Sequence, residues 1–200
     1  IYPVRSIGFS SVVLWLLLYA ATGYAAPAVE LPKMALEAAE IAIIVNDADE
    51  LSKQTGEYYR QQRHIPRENL VHVSFKPGLT TMTVAEFKRI KTQVDNKTPP
   101  GVQAYVLTWL KPYRVTCMSI TSAFAFGFNQ DYCAQGCKTT KSSPYFNSDS
   151  RAPYTDYGIR PTMVLAAASF KAVKQLIQRG IDSDNTAPGG TAYLMDTNDK

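Results

Sequence analysis

The feature that most constrains this chain is Ile41-Ala-Ile-Ile-Val45, a continuous apolar run that breaks off at Asn46-Asp-Ala-Asp49. A fully apolar strand of this length suits a parallel sheet covered on both faces. Parallel strands need crossover connections, usually helices, and the residues that follow supply them. Residues 50–62 read as a helix, with Asp49 as its N-cap and Leu51, Thr55, Tyr58 and Tyr59 sharing a side. Gly56 counts slightly against it. Residues 70–75 read as the second strand, with Leu70, His72 and Ser74 on one face and Val71, Val73 and Phe75 on the other. Thr83-Val-Ala-Glu86 is a capping-box pattern. It opens a helix that reaches about Asn96, with Phe87, Ile90, Lys91 and Val94 in register, before Thr98-Pro-Pro-Gly101 stops it. Residues 102–108 form a third strand.

Strand, helix, strand, helix, strand amounts to two βαβ units with right-handed crossovers. The expected fold is α/β: a three-layer sandwich around a mainly parallel sheet, Rossmann-like or flavodoxin-like. Periodicity then fails between Lys111 and Arg160, a stretch rich in Tyr, Phe, Ser, Asn and Gly that holds every cysteine. A structureless loop this long is unusual. The stretch is either an insertion with short elements of its own or a loop-rich cover pinned by a disulfide. Within it, residues 119–127 are small and apolar and read as core. Residues 163–167 suit a strand. Residues 169–179 suit a helix capped by Ser169 and ended by Gly180, and Pro188-Gly-Gly190 precedes a further strand at 191–195.

The beginning of the chain is of another kind. Arg5, an apolar run over residues 7–21, and then Ala20, Ala21, Gly23, Ala25 and Ala26 follow the order of a secretory signal peptide. Cutting after Ala25 places Gly23 and Ala25 at −3 and −1. The run is shorter than the roughly 20 apolar residues of a spanning helix, and no later segment approaches that length. The expected organisation is a leader over 1–25, a lead-in over 26–40 and one α/β domain over 41–200. The start at Ile1 and the stop at Lys200, just after a strand-like segment, suggest a fragment truncated at its C-terminus. The leader directs the product to the periplasm or the extracellular space. The net charge of +4 loses only Arg5 with the leader. That mild value, and export, argue against nucleic acid as a partner.

Export also frames the three cysteines, Cys117, Cys133 and Cys137, since oxidising compartments favour disulfides. The first expectation is a short-loop disulfide between Cys133 and Cys137, and the second is a bridge from Cys117 to either one. No metal site is expected, because His64 and His72 lie far upstream of the thiols. Cys117 as a nucleophile would need a neighbouring base, and neither histidine lies at a strand end beside it.

In open α/β sheets, ligands bind outside the carboxyl ends of the strands. The candidate ligand residues are therefore Asn46 and Asp47 after the first strand, and Thr108, Trp109, Lys111 and Arg114 after the third. Asp47, Trp109, Lys111 and Arg114 would lie near the rim of one polar pocket. Against this, Trp109 and Tyr113 are equally read as packing residues. No Gly-rich phosphate loop, Gly-x-Ser-x-Gly elbow or His-Glu-x-x-His motif occurs, so catalytic residues stay unassigned and no cofactor is implied.

Several segments taken together carry a resemblance. They are Ile43-Ile-Val-Asn-Asp47, Tyr58-Tyr59 through Arg63-His-Ile-Pro-Arg-Glu-Asn-Leu70, Tyr105-Val-Leu-Thr-Trp109 with Pro112-Tyr-Arg114, and Pro188-Gly-Gly-Thr-Ala-Tyr193. Over most of residues 40–195 the chain resembles a family of exported bacterial proteins of unknown function, known mainly for occurring in genomes that carry exosortase. Exosortase is the proposed membrane sorting transpeptidase of exopolysaccharide-producing bacteria. The resemblance implies an envelope-associated protein but transfers no reaction and no catalytic residue. A small molecule, a polysaccharide or an envelope protein is the expected partner. The alternative is a hydrolase or peptidase-like enzyme acting on envelope protein or polysaccharide.

Overall fold

The computed structural model describes residues 35–133 and 139–186. The leader, the Pro188-Gly-Gly190 turn, the expected strand at 191–195 and Cys137 lie outside the described residues.

The first apolar run forms β1 (Ile41–Asn46), with Ala42, Ile43, Ile44 and Val45 wholly buried. Asp49 caps α1 (Glu50–Gln62) by accepting the amides of Leu51 and Ser52 at 3.0 and 3.3 Å. The chain then enters β2 (Leu70–Val73), two residues shorter than expected, and the short β3 (Thr81–Met82). The Thr83 hydroxyl accepts the Glu86 amide and starts α2 (Val84–Lys97), which buries Phe87, Ile90 and Val94 as its spacing requires. Strand β4 (Ala104–Leu107) is buried along its length.

Residues 109–160 carry short elements of their own: β5 (Arg114–Val115), β6 (Met118–Ser119), α3 (Ile120–Phe126) and α4 (Pro153–Tyr157). Strand β7 (Thr162–Val164) and α5 (Phe170–Asp182) follow. Ser169 caps α5 as expected, but Gly180 does not end it. The amphipathic pattern continues to Ile181, which packs against the cluster of Val106, Leu165, Val173 and Ile177, so burial carries the helix past the glycine.

The main sheet has the order β2-β1-β4-β7, parallel throughout. From β1 the chain steps to β2 in one direction, then to β4 and β7 in the other. Right-handed crossovers therefore require α1 on one face and α2 and α3 on the other. The cores agree. Ala42, Ile44, Val71, Val73, Tyr105 and Leu107 pack with residues of α2 and α3, whereas Val106 packs with α5 and residues of α1. The result is a three-layer α/β sandwich. A second sheet, β3-β5-β6, sits in the polypeptide that follows the carboxyl ends of β2 and β4.

Gly56 is a correction to the sequence reading. It is a site of close approach, where a Cβ would lie 2.2 Å from Val45 Cγ1. The buried face of α1 is Ser52, Thr55 and Gly56, not the larger Leu51 and Tyr58. Small residues let α1 lie directly on β1.

Candidate functional site

The structure divides the six expected ligand residues into two groups. Asn46, Thr108 and Trp109 are buried and committed to structure, while Asp47, Lys111 and Arg114 reach solvent.

Asn46 ends β1 and is fully buried. Its amide nitrogen donates to the Phe75 carbonyl at 3.0 Å, and its side-chain oxygen accepts the Phe75 and Ala48 amides at 3.1 and 3.2 Å. The side chain thus clamps the ends of β1 and β2, with three of its four hydrogen-bonding positions occupied by backbone. Ser52, at the start of α1, accepts the Asn46 amide at 2.9 Å and shares a hydrogen bond of 2.8 Å with Thr108 Oγ1. Thr108 also donates to the Ile44 carbonyl at 3.1 Å. These hydroxyls satisfy backbone at the crevice between β1 and β4, where the direction of strand succession reverses. They are not spare ligand donors.

Trp109 corrects the expectation that it lies at a pocket rim. It is 1% exposed, packs edge-on against Phe75 and Phe124, and donates Nε1–H to the Pro112 carbonyl at 3.2 Å. The packing alternative is right for Trp109 but wrong for Tyr113, which is half exposed. Lys111 is exposed in the same loop. Arg114 pairs with Thr81 across the small sheet, and its Nε–H donates to the Thr81 hydroxyl at 2.8 Å.

Asp47 meets a residue not considered as its partner from sequence. His72 Nδ1 lies 2.7 Å from Asp47 Oδ1, with both side chains nearly half exposed. An ionised carboxylate only accepts, so Nδ1 carries the proton, and in the neutral ring Nε2 presents its lone pair. Among the described residues no side chain hydrogen-bonds to that nitrogen. The signal was available in part. Alternation turns His72 away from buried Val71 and Val73, and parallel pairing sets His72 opposite Val45, two residues before Asp47. What the sequence lacked was the strand order that makes β2 the neighbour of β1. Close by, Glu50 and Lys53 pair at 2.7 Å. Hydrogen bonding to Lys53 holds the Glu50 carboxyl below its ordinary range, and the same bond raises Lys53.

An open groove of about 410 Å3 runs between α1 and α5, lined by Glu50, Lys53, Tyr58 and Phe170 among others, and by none of the six expected residues. Glu57 in the same lining is held down to about 2 by the Arg60 guanidinium, 2.7 Å away, and by Gln61.

The cysteine expectation is corrected in its first choice. Cys117 is bonded to Cys133, with a Cα–Cα distance of 5.4 Å. The β5–β6 turn presents Cys117 toward the end of the 3-10 turn Gln130–Tyr132, so tertiary proximity outweighs the short sequence separation of Cys133 from Cys137. A bonded sulfur is not a nucleophile. Among the described residues, no cluster of three or more His, Cys, Asp or Glu is arranged to hold a metal ion. Comparison with family models, curated proteins and solved structures finds no match to this chain.

Proposed function

We propose that this chain is an exported, envelope-associated protein of the exosortase-linked family, with a flavodoxin-like sandwich that presents a binding face at the carboxyl ends of its strands. The observation that carries this reading is the Cys117–Cys133 disulfide. A cystine that fastens an insertion to a domain persists in oxidising compartments, and the order of charge, apolar run and small residues in 1–25 supports the same destination. The flavodoxin-like reading is supported by four parallel strands whose order, counted along the chain, is 2-1-3-4. Binding is favoured over covalent chemistry because Asn46, Ser52 and Thr108 are committed to structure and Cys117 is bonded. Asp47, His72, Lys111 and Arg114 remain to meet a small molecule, a polysaccharide or an envelope protein.

One observation favours the second reading, a hydrolase or peptidase-like enzyme. The Asp47–His72 pair has the orientation of a general base held by a carboxylate. Two experiments decide. Expressed behind an initiator Met in a Gram-negative host, the chain should be recovered by osmotic shock, begin at Ala26 and yield a Cys117–Cys133 peptide. Cytoplasmic retention with an intact leader and free thiols would refute export. Hydrolysis of an ester, peptide or oligosaccharide that His72→Ala abolishes, while leaving the melting temperature in place, would replace binding with the enzyme reading.

A further inference from the structure

The small sheet sets two loop tips side by side. Thr81 pairs with Arg114 and Met82 with Val115, and the Tyr113 amide donates to the Thr80 carbonyl at 3.2 Å. Beneath them Trp109 is locked between Phe75 and Phe124, and its Nε1–H closes the second loop on the Pro112 carbonyl. On this firm base three large side chains point outward: Leu79 and Leu110, each 51% exposed, and Tyr113, 50% exposed. Cations accompany them. Lys76, Lys111 and Arg114 are exposed in the same two loops. Lys88 and Arg89 are exposed on the first turns of α2, and Arg89 donates to the Ser74 carbonyl beside the first tip. Across residues 74–90 and 108–116 the single acid is Glu86.

We infer that this face docks on an anionic membrane surface. Apolar tips accompanied by Lys and Arg are the arrangement of interfacial binding. Leucines enter the boundary between headgroups and acyl chains, a tyrosine stays at headgroup level, and the cations meet lipid phosphates. The two leucines select lipid over an acidic polysaccharide, because they neither stack on sugar rings nor hydrogen-bond to them. The inference rests on the envelope reading only for the source of the lipid. Vesicle binding by purified protein is a separate measurement, so either idea can fail alone.

The test uses the chain from Ala26 onward, since an uncut leader would itself enter a bilayer. Co-sedimentation is measured with vesicles of phosphatidylcholine alone and of phosphatidylcholine with about 30% phosphatidylglycerol, at low salt and at about 0.5 M salt, where the screening length falls to a few Å. Binding should be at least tenfold tighter to the anionic vesicles and should weaken at least tenfold in high salt. The double variant Lys76→Glu/Lys111→Glu should lose at least tenfold. The variant Leu79→Ser/Leu110→Ser should lose severalfold, with circular dichroism unchanged in both. Equal affinity for the two vesicle types, or full affinity in either double variant, overturns the proposal. Binding to sodium alginate without binding to vesicles overturns it in favour of a polysaccharide.

Discussion

Residues 41–108 and residues 109–160 bury their apolar groups by different means. In the first stretch, strands and helices repeat with regular periods, and Ala42, Ile44, Val71, Phe87, Ile90 and Val94 interlock across helix and sheet. Among the described residues of the second stretch, the strands have two residues and the helices five and seven, beside the 3-10 turn Gln130–Tyr132. Order there comes from particular contacts. Phe87 meets Phe124 edge-on with centroids 5.4 Å apart, Cys117 is tied to Cys133, and the Gln103 side chain accepts the Tyr154 and Thr155 amides at the start of α4. The first stretch is held by burial along regular elements; the second adds specific bonds to the buried Val115, Met118, Ile120, Ala123 and Phe124 that it gives to the same core. The first should therefore fail at close contacts and the second at its ties.

The sharpest break in the first stretch is Gly56. With a Cβ only 2.2 Å from Val45 Cγ1 in the central strand, Gly56→Val has nowhere to place its branches. Its cost should reach or exceed the top of the roughly 1–3 kcal/mol range for overpacking, read as loss of a cooperative urea transition. Gly180→Ala is the paired control. There the nearest atom is the Arg63 guanidinium at 3.3 Å, the movable end of a side chain ion-paired with Asp184. Helix propensity should make that variant neutral or up to about 1 kcal/mol more stable. Comparable loss in both variants would deny that α1 lies directly on β1.

The matching break in the second stretch is the disulfide. Replacing Cys117 and Cys133 together by Ala opens a bridge spanning 16 residues. The chain-entropy argument puts the loss at about 3 kcal/mol. Hydrogen exchange should show protection lost first across residues 113–133 and last in β1. Uniform loss would mean that the two stretches unfold as one unit and that the contrast between them is one of appearance only.

The same contrast governs what the sequence can show. The main strands and the large helices of residues 41–108 are legible because burial on a sheet imposes a period. Caps at Asp49, Thr83 and Ser169 announce themselves by residue type. Tertiary choices are not legible. Gly56 looks like a weak helix residue until Val45 is set against it. Gly180 looks like a stop until Ile181 is set against the cluster of Val106, Leu165, Val173 and Ile177. At the expected site, position along the chain places Asn46, Asp47 and Thr108 at strand ends, since each ends a strand or follows one. It does not say which end a buried clamp and which face water. Cys133 and Cys137 are close in sequence, but the partner of Cys133 comes from the turn between β5 and β6.

Adjacent residues at the end of β1 test that division. Asn46→Ala leaves the buried Phe75 amide and carbonyl without their side-chain partner, and removes the acceptor of the more exposed Ala48 amide. Unmet buried groups cost about 1–3 kcal/mol, so thermal or urea unfolding should show a loss of about 2–3 kcal/mol. Asp47→Ala removes one exposed pairing with His72 and should stay within about 1 kcal/mol, while weakening any ligand held at this edge. Equal destabilisation would make Asp47 structural and remove it from the site.

A small effect at neutral pH lies on the seam between the two stretches, and it carries a distinctive pH signature. Tyr105 of β4 is 1% exposed, and its hydroxyl donates to Asp95 at 3.2 Å and lies 3.3 Å from the Thr98 hydroxyl oxygen. Arg160, at the end of the insertion, stacks on Tyr154 at 3.2 Å and lies 5.3 Å from the Tyr105 ring, with its Nε–H on the Val102 carbonyl. Burial pushes the Tyr105 phenol up to about 12, against an ordinary 10.0. A raised pKa means that the folded state holds the proton more tightly than the unfolded chain. The associated stability is intact below pH 10 and is lost as pH climbs toward 12. Two units of pH correspond to about 2–3 kcal/mol. Tyr105→Phe should cost about 1 kcal/mol at neutral pH, for hydrogen bonds of modest length, yet it is exempt from the alkaline loss. The stability curves of parent and variant should therefore cross between pH 10 and pH 12. Parallel curves would show that the phenol ionises as freely in the folded protein as in the unfolded chain, and that the seam is open to water.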